Sequence, residues 1–234
     1  MSDGGKRGTI VEGTSGSTGI SLALMAAASG CRCDITMPDD MAREKSDLMA
    51  LFGADVERVR PAAISNDRHY SNAAKRKAAE MDGGFYADQF ENLSNVEAHM
   101  RTTGKEVWRQ TGGALDAFVM SAGTGGTITG VGTYLKRRDP RIQVFLADPA
   151  GSVLYHRVKD GVAYAPQQAE QKLKRVRIDT ITEGIGIDRL TRNFTEHEDC
   201  ISDALRVHDQ DAVNMAWHLL RKEGLFVGRC VSML

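Results

Sequence analysis

Two glycine-rich turns carry the residues of this sequence that are best suited to bind an anion. The first turn reads Gly13-Thr14-Ser15-Gly16-Ser17-Thr18-Gly19, and the second reads Gly123-Thr124-Gly125-Gly126-Thr127. Glycines permit a sharp bend and a close approach of ligand to backbone, while the hydroxyl groups and the first N–H groups of a following helix point into the same space. The positive end of a helix dipole favours an anion there, so each turn is a candidate site for a phosphate or a carboxylate.

Neither turn is diagnostic by itself. The first is equally consistent with a helix capped by Ser or Thr after a tight bend. The second lacks the Gly-Lys-Ser/Thr of a Walker loop, and Ile128 breaks the G-x-G-x-x-G dinucleotide pattern. Both turns, however, stand between a strand pattern and a helix pattern, and parallel βαβ topology can bring such junctions to one edge of a sheet. The pair is therefore stronger evidence for a ligand site than either turn alone.

The elements that must position these turns follow from the alternation of short β-branched runs with longer helical patterns. This alternation predicts βαβ units around a mostly parallel sheet. We expect strands at residues 9–12, 33–37, 56–59, 85–88, 117–121 and 143–147, and helices at 18–29, 42–52, 66–81, 95–110, after 127 to 136, and 209–222. A further strand is expected to start at 225–227. The polar segment 151–177, with its basic run 172–177, is expected to form an irregular insertion or lid.

Composition favours a small-molecule ligand over a nucleic acid or a membrane. The 234 residues are 41% hydrophobic and 26% charged, and 30 Lys and Arg against 31 Asp and Glu give a net charge of -1. That balance provides no field to gather a polyanion. No apolar run approaches the roughly 20 residues that a membrane helix requires, and the N-terminus has no apolar signal core. The length favours one large α/β domain or two intertwined lobes.

The other chemically capable residues give weaker signals. The four cysteines lack the C-x-x-C spacing of a zinc site and the histidines lack ligand pairing, so we expect reduced thiols and no metal. Asp148 follows a predicted strand and is interpreted as a turn carboxylate, with a role beside a cofactor as the alternative. We expect surface or capping roles for the histidines and core positions for the tryptophans: His69, His99, His197, His208, His218, Trp108 and Trp217.

With their surroundings, the two turns resemble a known family. Residues 12–20 are similar to the substrate-carboxylate loop of O-acetylserine sulfhydrylases and cystathionine β-synthases, and residues 121–130 are similar to their cofactor-phosphate loop. The same family is matched at residues 37–38, 42–45, 53–56, 88–92, 102–106, 183–186 and 209–212. Residues 183–190 and the polar segment before them look most like the fungal cysteine synthase 2 branch.

The resemblance implies a fold-type-II pyridoxal-phosphate enzyme with a tryptophan synthase β-like α/β fold, in which mostly parallel sheets with flanking helices form two intertwined lobes. A smaller, mobile lobe would span about residues 15–105, and a larger lobe would span about 106–234 with 1–14. The implied reaction is β-replacement, in which O-acetyl-L-serine and sulfide give L-cysteine and acetate. A cytoplasmic or mitochondrial homodimer is implied as well. The alternatives are a cystathionine β-synthase, a serine/threonine dehydratase, or a non-catalytic protein that still binds the ligands.

The resemblance also implies roles for individual residues. Gly123, Thr124, Gly125, Gly126 and Thr127 would hold the 5′-phosphate of pyridoxal 5′-phosphate, and Gly184 would line the cofactor pocket. Ser17 would contact the cofactor ring oxygen, where the family usually has Asn. Thr14, Ser15, Gly16, Thr18 and Gln89 would bind the α-carboxylate of the amino-acid substrate.

Two departures from the family concern the chemistry itself. The Schiff-base lysine of the family lies in a Ser-x-Lys-Asp-Arg-like motif before the first loop, and neither Lys6 nor Lys45 has that context. After Gly228 the resemblance to a serine-rich turn, one of whose serines pairs with the pyridine nitrogen, is lost. We therefore expect a chain truncated at both ends, which keeps the cofactor frame, has no catalytic residue of its own and is inactive as written.

Overall fold

A computed structural model describes residues 8–165, 180–228 and 230–234 of the chain. The chain divides into two compact units, Met1–Gln89 and Phe90–Leu234. Each unit contains a parallel sheet with helices packed on it, in the strand orders β3-β2-β1-β4 and β5-β6-β7. The predicted α/β architecture is therefore confirmed, while the lobe boundaries implied by the resemblance stay a prediction.

In the first unit, β1 lies between β2 and β4 and is covered on both faces. The elements are β1 (Thr9–Gly13), α1 (Ser17–Ser29), β2 (Arg32–Pro38), α2 (Arg43–Leu51), β3 (Asp55–Val59), α3 (Tyr70–Glu80) and β4 (Gly84–Tyr86). One apolar cluster is built around the buried side chains of Ile35, Met37 and Met49, and a second joins Val11 to α3. Because β1 is buried on both faces, its carboxyl end, where the first glycine turn begins, is held in a fixed position.

In the second unit, β6 is the central strand and α6 is the most deeply buried helix. The elements are α4 (Ser94–Arg101), α5 (Thr103–Gln110), β5 (Ala117–Met120), α6 (Gly126–Arg138), β6 (Gln143–Pro149), α7 (Leu154–Asp160), α8 (Arg192–Thr195), β7 (Asp203–Val207) and α9 (Asp209–His218). Ile128, Val131 and Leu135 anchor α6 in the core. A Cβ at Gly130 would lie 2.5 Å from the Val96 carbonyl oxygen, so glycine allows α6 and α4 to approach closely.

Two predicted helix boundaries are wrong because side chains bond to the backbone. The segment predicted as one helix, 95–110, breaks at Thr102, whose backbone dihedrals are φ -118 and ψ -78 and whose hydroxyl donates to the Ala98 carbonyl at 2.7 Å. The helix predicted at 66–81 begins at Tyr70, because the Nδ1 atom of His69 accepts the Ser71 N–H at 3.2 Å and caps it. Hydrogen bonds of this kind compete locally with the helical ladder.

Three further predictions are wrong in the second unit. The segment expected to be irregular from residue 151 contains α7, whereas its residues 166–177, including the basic run, lie outside the described residues. No strand forms at 225–227; the strand that the prediction missed is β7, in which the side chain of Leu205 is 48% exposed. Trp217 is 51% exposed, with the Arg221 guanidinium stacked on its ring at 4.6 Å, so it is not a core residue. Trp108, as predicted, packs with the α6 core.

Candidate active site

The first glycine turn connects β1 to α1 and is held by its own polar groups. Gly16 precedes α1 with a φ of 153°, a conformation that favours glycine. Its N–H donates to the Thr14 hydroxyl at 3.1 Å, and the Thr14 side chain is almost completely buried. A Cβ at Gly19 would lie 2.7 Å from the Thr14 methyl group, so the turn and the helix start are in close contact. The first turn of α1 contains no acidic residue that would oppose an anion.

Gln89, which follows β4, joins this turn through its side-chain amide. The Thr18 hydroxyl donates to Gln89 Oε1 at 2.7 Å, and Gln89 Nε2 donates to the Gly13 carbonyl at 2.8 Å. The structure thus brings together Thr14, Gly16, Thr18 and Gln89, four of the five predicted carboxylate-binding residues; Ser15 is half-buried in the same turn. In this arrangement the Gln89 side chain fixes the position of Thr18. Gln89 Nε2 can donate to an incoming carboxylate only after it leaves the Gly13 carbonyl. Ser17 is exposed at the first position of α1.

Glu12 is a functional candidate that the residue-by-residue prediction missed. Its side chain is fully buried at the end of β1, where its carboxylate accepts the N–H groups of Gly13 at 3.0 Å and of Gln89 at 3.2 Å. Gln89 Nε2 lies 3.4 Å from the same carboxylate. Burial raises the pKa of Glu12 to about 7, the hydrogen bonds to Gln89 and Gly13 oppose that rise, and the nearby Asp88 charge adds to it.

The backbone beside Glu12 is unusual in a way that supports the same contact. Asp88 has a φ of 54°, and within the described residues it is the one non-glycine residue with a positive φ. This left-handed conformation directs the chain so that Gln89 meets Glu12 through both its N–H and its side chain. A glutamate directly before a glycine turn, at the end of a strand, was the available sequence signal.

The second glycine turn connects β5 to α6 and is fixed by residues far away in the sequence. Gly125, with a φ of 89°, precedes the helix. The Thr124 hydroxyl accepts Asn95 Nδ2 at 3.0 Å, and the Thr124 carbonyl accepts the Thr191 hydroxyl at 2.7 Å. The amides in the first turn of α6 have no acceptor in their own helix. The Gly126 N–H donates to the Thr124 hydroxyl over a long 3.4 Å, and the amides of Thr127 and Ile128 remain for an anion.

Neighbouring residues occupy the space that a Cβ atom would need at three glycines of this turn. A Cβ at Gly123 would collide with the Gly184 carbonyl, one at Gly125 would lie 2.8 Å from the Phe194 Cβ, and one at Gly126 would collide with the Asn95 amide. Gly184, predicted to line the cofactor pocket, therefore lies directly against the turn. Backbone amides and hydroxyl groups at the positive end of a helix are the donor set that suits a phosphate dianion. The five predicted phosphate-binding residues thus fit the phosphate of pyridoxal phosphate.

His99 is the second residue whose role was missed, and the expectation of a surface or capping role is wrong. Its Nε2 atom lies 3.1 Å from the Thr127 hydroxyl and its Nδ1 atom lies 3.0 Å from the Thr103 hydroxyl. Burial lowers the pKa of His99, so the neutral imidazole predominates at neutral pH. In the tautomer that carries its proton on Nε2, His99 donates to Thr127 and leaves the Thr127 hydroxyl proton directed to a ligand.

Asp148 is fully buried at the end of β6, so its interpretation as an ordinary turn carboxylate is wrong. One carboxylate oxygen accepts the Tyr155 N–H at 2.8 Å. Burial raises the pKa of Asp148 to about 6. The side chain supports the start of α7 through the Tyr155 N–H.

A parallel α/β fold with a glycine turn whose donors fit a phosphate dianion is typical of enzymes that bind a phosphate-bearing cofactor. The sequence matches the family described as pyridoxal-phosphate-dependent enzyme over residues 2–232, and the chain belongs to that family. The predicted cofactor is thereby confirmed for the family. Within the described residues, no helix is long and apolar enough to cross a membrane, and no group of three or more metal-ligating side chains occurs.

Fungal cysteine synthases are among the relatives with the highest identity. The chain is 51% identical over 238 residues to cysteine synthase 2 of Neurospora crassa, covering 98% of this chain and 52% of that protein. It is 49% identical over 226 residues to cysteine synthase 2 of Schizosaccharomyces pombe, covering 94% and 57%. The structure of an O-acetylserine-dependent cystathionine β-synthase from Helicobacter pylori aligns with a TM-score of 0.80 at 28% identity, covering 97% of this chain and 67% of that one.

These comparisons confirm the resemblance to the fungal cysteine synthase branch and the fold-type-II architecture. The chain spans about half the length of the two curated relatives described above.

Proposed function

We propose that this chain carries the cofactor-phosphate and substrate-carboxylate sites of a cysteine synthase. The whole enzyme would convert O-acetyl-L-serine and sulfide to L-cysteine and acetate. The observation that carries the proposal is the second glycine turn, in which Gly125 opens α6 and His99 orients the Thr127 hydroxyl. Identity to the fungal cysteine synthases favours this reaction over cystathionine synthesis, since the rabbit cystathionine β-synthase is 36% identical.

In the second unit, the amides at the start of α6 and the Thr127 hydroxyl would hold the phosphate of pyridoxal phosphate. Asn95 and Thr191 keep Thr124 in place, so the turn needs little reorganisation when an anion arrives. When bound, pyridoxal phosphate supplies the electron sink for elimination and addition at the β-carbon of an amino acid.

In the first unit, the start of α1 and the hydroxyl groups of Thr14 and Ser15 would bind the α-carboxylate of the amino acid. Thr18 would join them when its hydroxyl proton leaves Gln89 Oε1. Gln89 sets the direction of the Thr18 hydroxyl, and Glu12 holds Gln89 through its backbone and its side chain. Glu12 is thus a positioning residue for this turn.

Among the 234 residues, no lysine stands in the Ser-x-Lys-Asp-Arg-like context that the resemblance implies. We therefore propose that this chain binds pyridoxal phosphate reversibly and does not supply the lysine for β-replacement. A homodimer and a cytoplasmic or mitochondrial location stay predictions of the resemblance. A serine/threonine dehydratase and a non-catalytic binding protein are the alternatives that the following assays distinguish.

The first assay is a fluorescence titration of the purified chain with pyridoxal phosphate. We expect saturable binding that Thr127→Val weakens and that Thr111→Val, at the exposed end of α5, leaves unchanged. Borohydride treatment of the complex followed by peptide mapping should label no single lysine. One uniquely labelled lysine would refute the proposal that the lysine is missing, whereas a lack of saturable binding would refute the cofactor site itself.

The second assay measures product formation by the chain loaded with pyridoxal phosphate. With O-acetyl-L-serine and sulfide, we expect L-cysteine to form no faster than in a control that contains pyridoxal phosphate without protein. Faster formation of L-cysteine would contradict the proposed inactivity and support the cysteine synthase assignment directly. Ammonia release from L-serine would favour the dehydratase alternative, and cystathionine formation from L-homocysteine would favour cystathionine β-synthase.

A further inference from the structure

A cavity of about 550 Å³ lies at the carboxyl end of the edge strand β3, in the first unit. Three arginines, Arg60, Arg68 and Arg76, line this cavity, which is called the arginine cavity below. Its lining shares no residue with either glycine turn. In open parallel sheets, ligands bind outside the carboxyl ends of the strands, and the cavity occupies such a position.

The positive charges of the arginine cavity are not balanced by its own carboxylate. Glu57, which also lines it, lies 3.5 Å from Lys77 Nζ. Arg76 donates to the Asp67 carbonyl, while the guanidinium groups of Arg60 and Arg68 have no hydrogen-bond or ion-pair partner within the described residues. Like charges around one cavity repel each other, and an anion between them would remove that repulsion.

The loop that carries Arg68 is fixed by hydrogen bonds before any ligand is present. The Asn66 N–H donates to the Ala63 carbonyl at 2.8 Å, and the His69 N–H donates to the Asn66 carbonyl at 2.9 Å. Asn66 Oδ1 accepts the Arg68 N–H at 2.9 Å, and Asn72 Nδ2 donates to the Ile64 carbonyl at 2.7 Å. A loop ordered in advance loses less conformational entropy when it binds, which favours a specific site.

We propose that the arginine cavity binds a small molecule that carries a phosphate group. The planar guanidinium of arginine matches phosphate oxygens through paired hydrogen bonds. Val59, Pro61 and Ala62 provide an apolar wall for the body of such a molecule, and the volume lies within the range of small-ligand pockets. A nucleic acid is disfavoured, because the net charge of the chain is -1 and the lining contains no aromatic ring.

Isothermal titration calorimetry with adenosine monophosphate, inorganic phosphate and adenosine tests this proposal. We expect adenosine monophosphate and inorganic phosphate to bind saturably and adenosine not to bind. Arg60→Gln and Arg68→Gln should each weaken adenosine monophosphate binding roughly ten- to a hundredfold, because each removes charge-assisted hydrogen bonds. Arg68→Lys should keep part of the affinity, since it keeps the charge and loses the paired geometry.

Two controls separate this site from the cofactor turn and from general charge effects. Arg109→Gln removes an exposed arginine at the end of α5 and should leave adenosine monophosphate binding unchanged. Thr127→Val should weaken pyridoxal phosphate binding without affecting adenosine monophosphate. The absence of saturable phosphate binding, an equal loss in Arg109→Gln, or unchanged binding in both cavity variants would overturn the proposal. Tighter, strongly salt-dependent binding of a single-stranded oligonucleotide would overturn it in favour of a nucleic acid.

Discussion

Replacing Glu12 with glutamine should make the chain more stable above neutral pH and leave its stability nearly unchanged in mild acid. Glutamine has the shape of a protonated glutamic acid but does not titrate. The buried carboxyl group of the original residue has its pKa raised from 4.5 to about 7 by burial. Between these two pH values the folded chain holds a proton that the unfolded chain has released, so the free energy of unfolding falls as the pH rises.

The size of the effect follows from the same two pKa values. Below pH 4.5 the residue is protonated in both states and imposes no pH-dependent cost, whereas above pH 7 the full cost is present. A rise of the pKa from 4.5 to about 7 corresponds to about 3 kcal/mol, of which roughly three quarters develops between pH 5 and pH 8. Glu12→Gln does not lose this stability as the pH rises, because glutamine does not titrate. Its advantage over the original chain should therefore grow by about 2–3 kcal/mol across that interval.

Urea unfolding followed by circular dichroism, at several pH values from 5 to 8, measures this difference. Asp148 also has a raised pKa, but it is present in both proteins and cancels in the comparison. Glu80→Gln, at the exposed end of α3, is the matched control for the loss of one carboxylate. If the difference between Glu12→Gln and the original chain is the same at pH 5 and at pH 8, the argument from burial is refuted.

Three other substitutions test the support of the second glycine turn and of the first sheet, and the two stability tests among them each have a matched control. His99→Phe should weaken pyridoxal phosphate binding about tenfold in a fluorescence titration, because the Thr127 hydroxyl loses its ring-nitrogen partner. Gly125→Ala should lower the free energy of unfolding by about 2–4 kcal/mol, since its Cβ would meet Phe194 at a strained φ of 89°. Gly112→Ala, at a φ of 61° with open space around it, should cost only about 1 kcal/mol in the same urea experiment. Lys77→Met removes the ion-pair partner of the nearly buried Asp34 and should lower the free energy of unfolding by about 1–2 kcal/mol. The loss is smaller than for a fully buried pair, because the Lys77 side chain is 35% exposed. Lys75→Met, on the exposed face of α3, is the control and should change the stability little. Equal losses within either stability pair would contradict the contacts on which that pair rests.

The two glycine turns were predictable because their determinants are local. A β-branched strand, a run of glycines and hydroxyl residues, and a helix pattern follow one another within a short stretch at β1–α1 and again at β5–α6. The positive φ of Gly16 and of Gly125 requires no distant partner to be inferred, since glycine takes that conformation most readily. The parallel pairing of neighbouring strands in both sheets also follows the expected βαβ alternation, whereas the order of the strands was not predicted.

The break between α4 and α5 was not predictable from the helix pattern, because tertiary packing sets it. A Cβ at Gly104 would lie 2.9 Å from the Tyr134 Cβ, so α5 can approach α6 only at a glycine. The Thr102 hydroxyl bonds back to α4 at the same place. Sequence periodicity runs through such a break, since both helices continue to place apolar residues towards the core.

The residues that support the turns were missed for a related reason. Each acts through a contact between distant parts of the chain: Glu12 with Gln89, His99 with Thr127, and Thr191 with Thr124. A lone histidine or threonine in a helix pattern carries no local signal of such a partner. The residues that support a binding loop from behind are therefore the hardest to predict from a single sequence.

The two turns also differ in the charge that lies behind them, which bears on what each can hold. Behind the second turn stand neutral groups, the Asn95 amide and an imidazole whose pKa is lowered by burial. They leave the positive helix end unopposed at any pH near neutrality, as a phosphate dianion requires. Behind the first turn stands Glu12, which ionises near pH 7 and then places a negative charge beneath the candidate carboxylate site. An anion bound there favours protonated Glu12, so the first turn suits a weaker, exchangeable anion such as a substrate carboxylate.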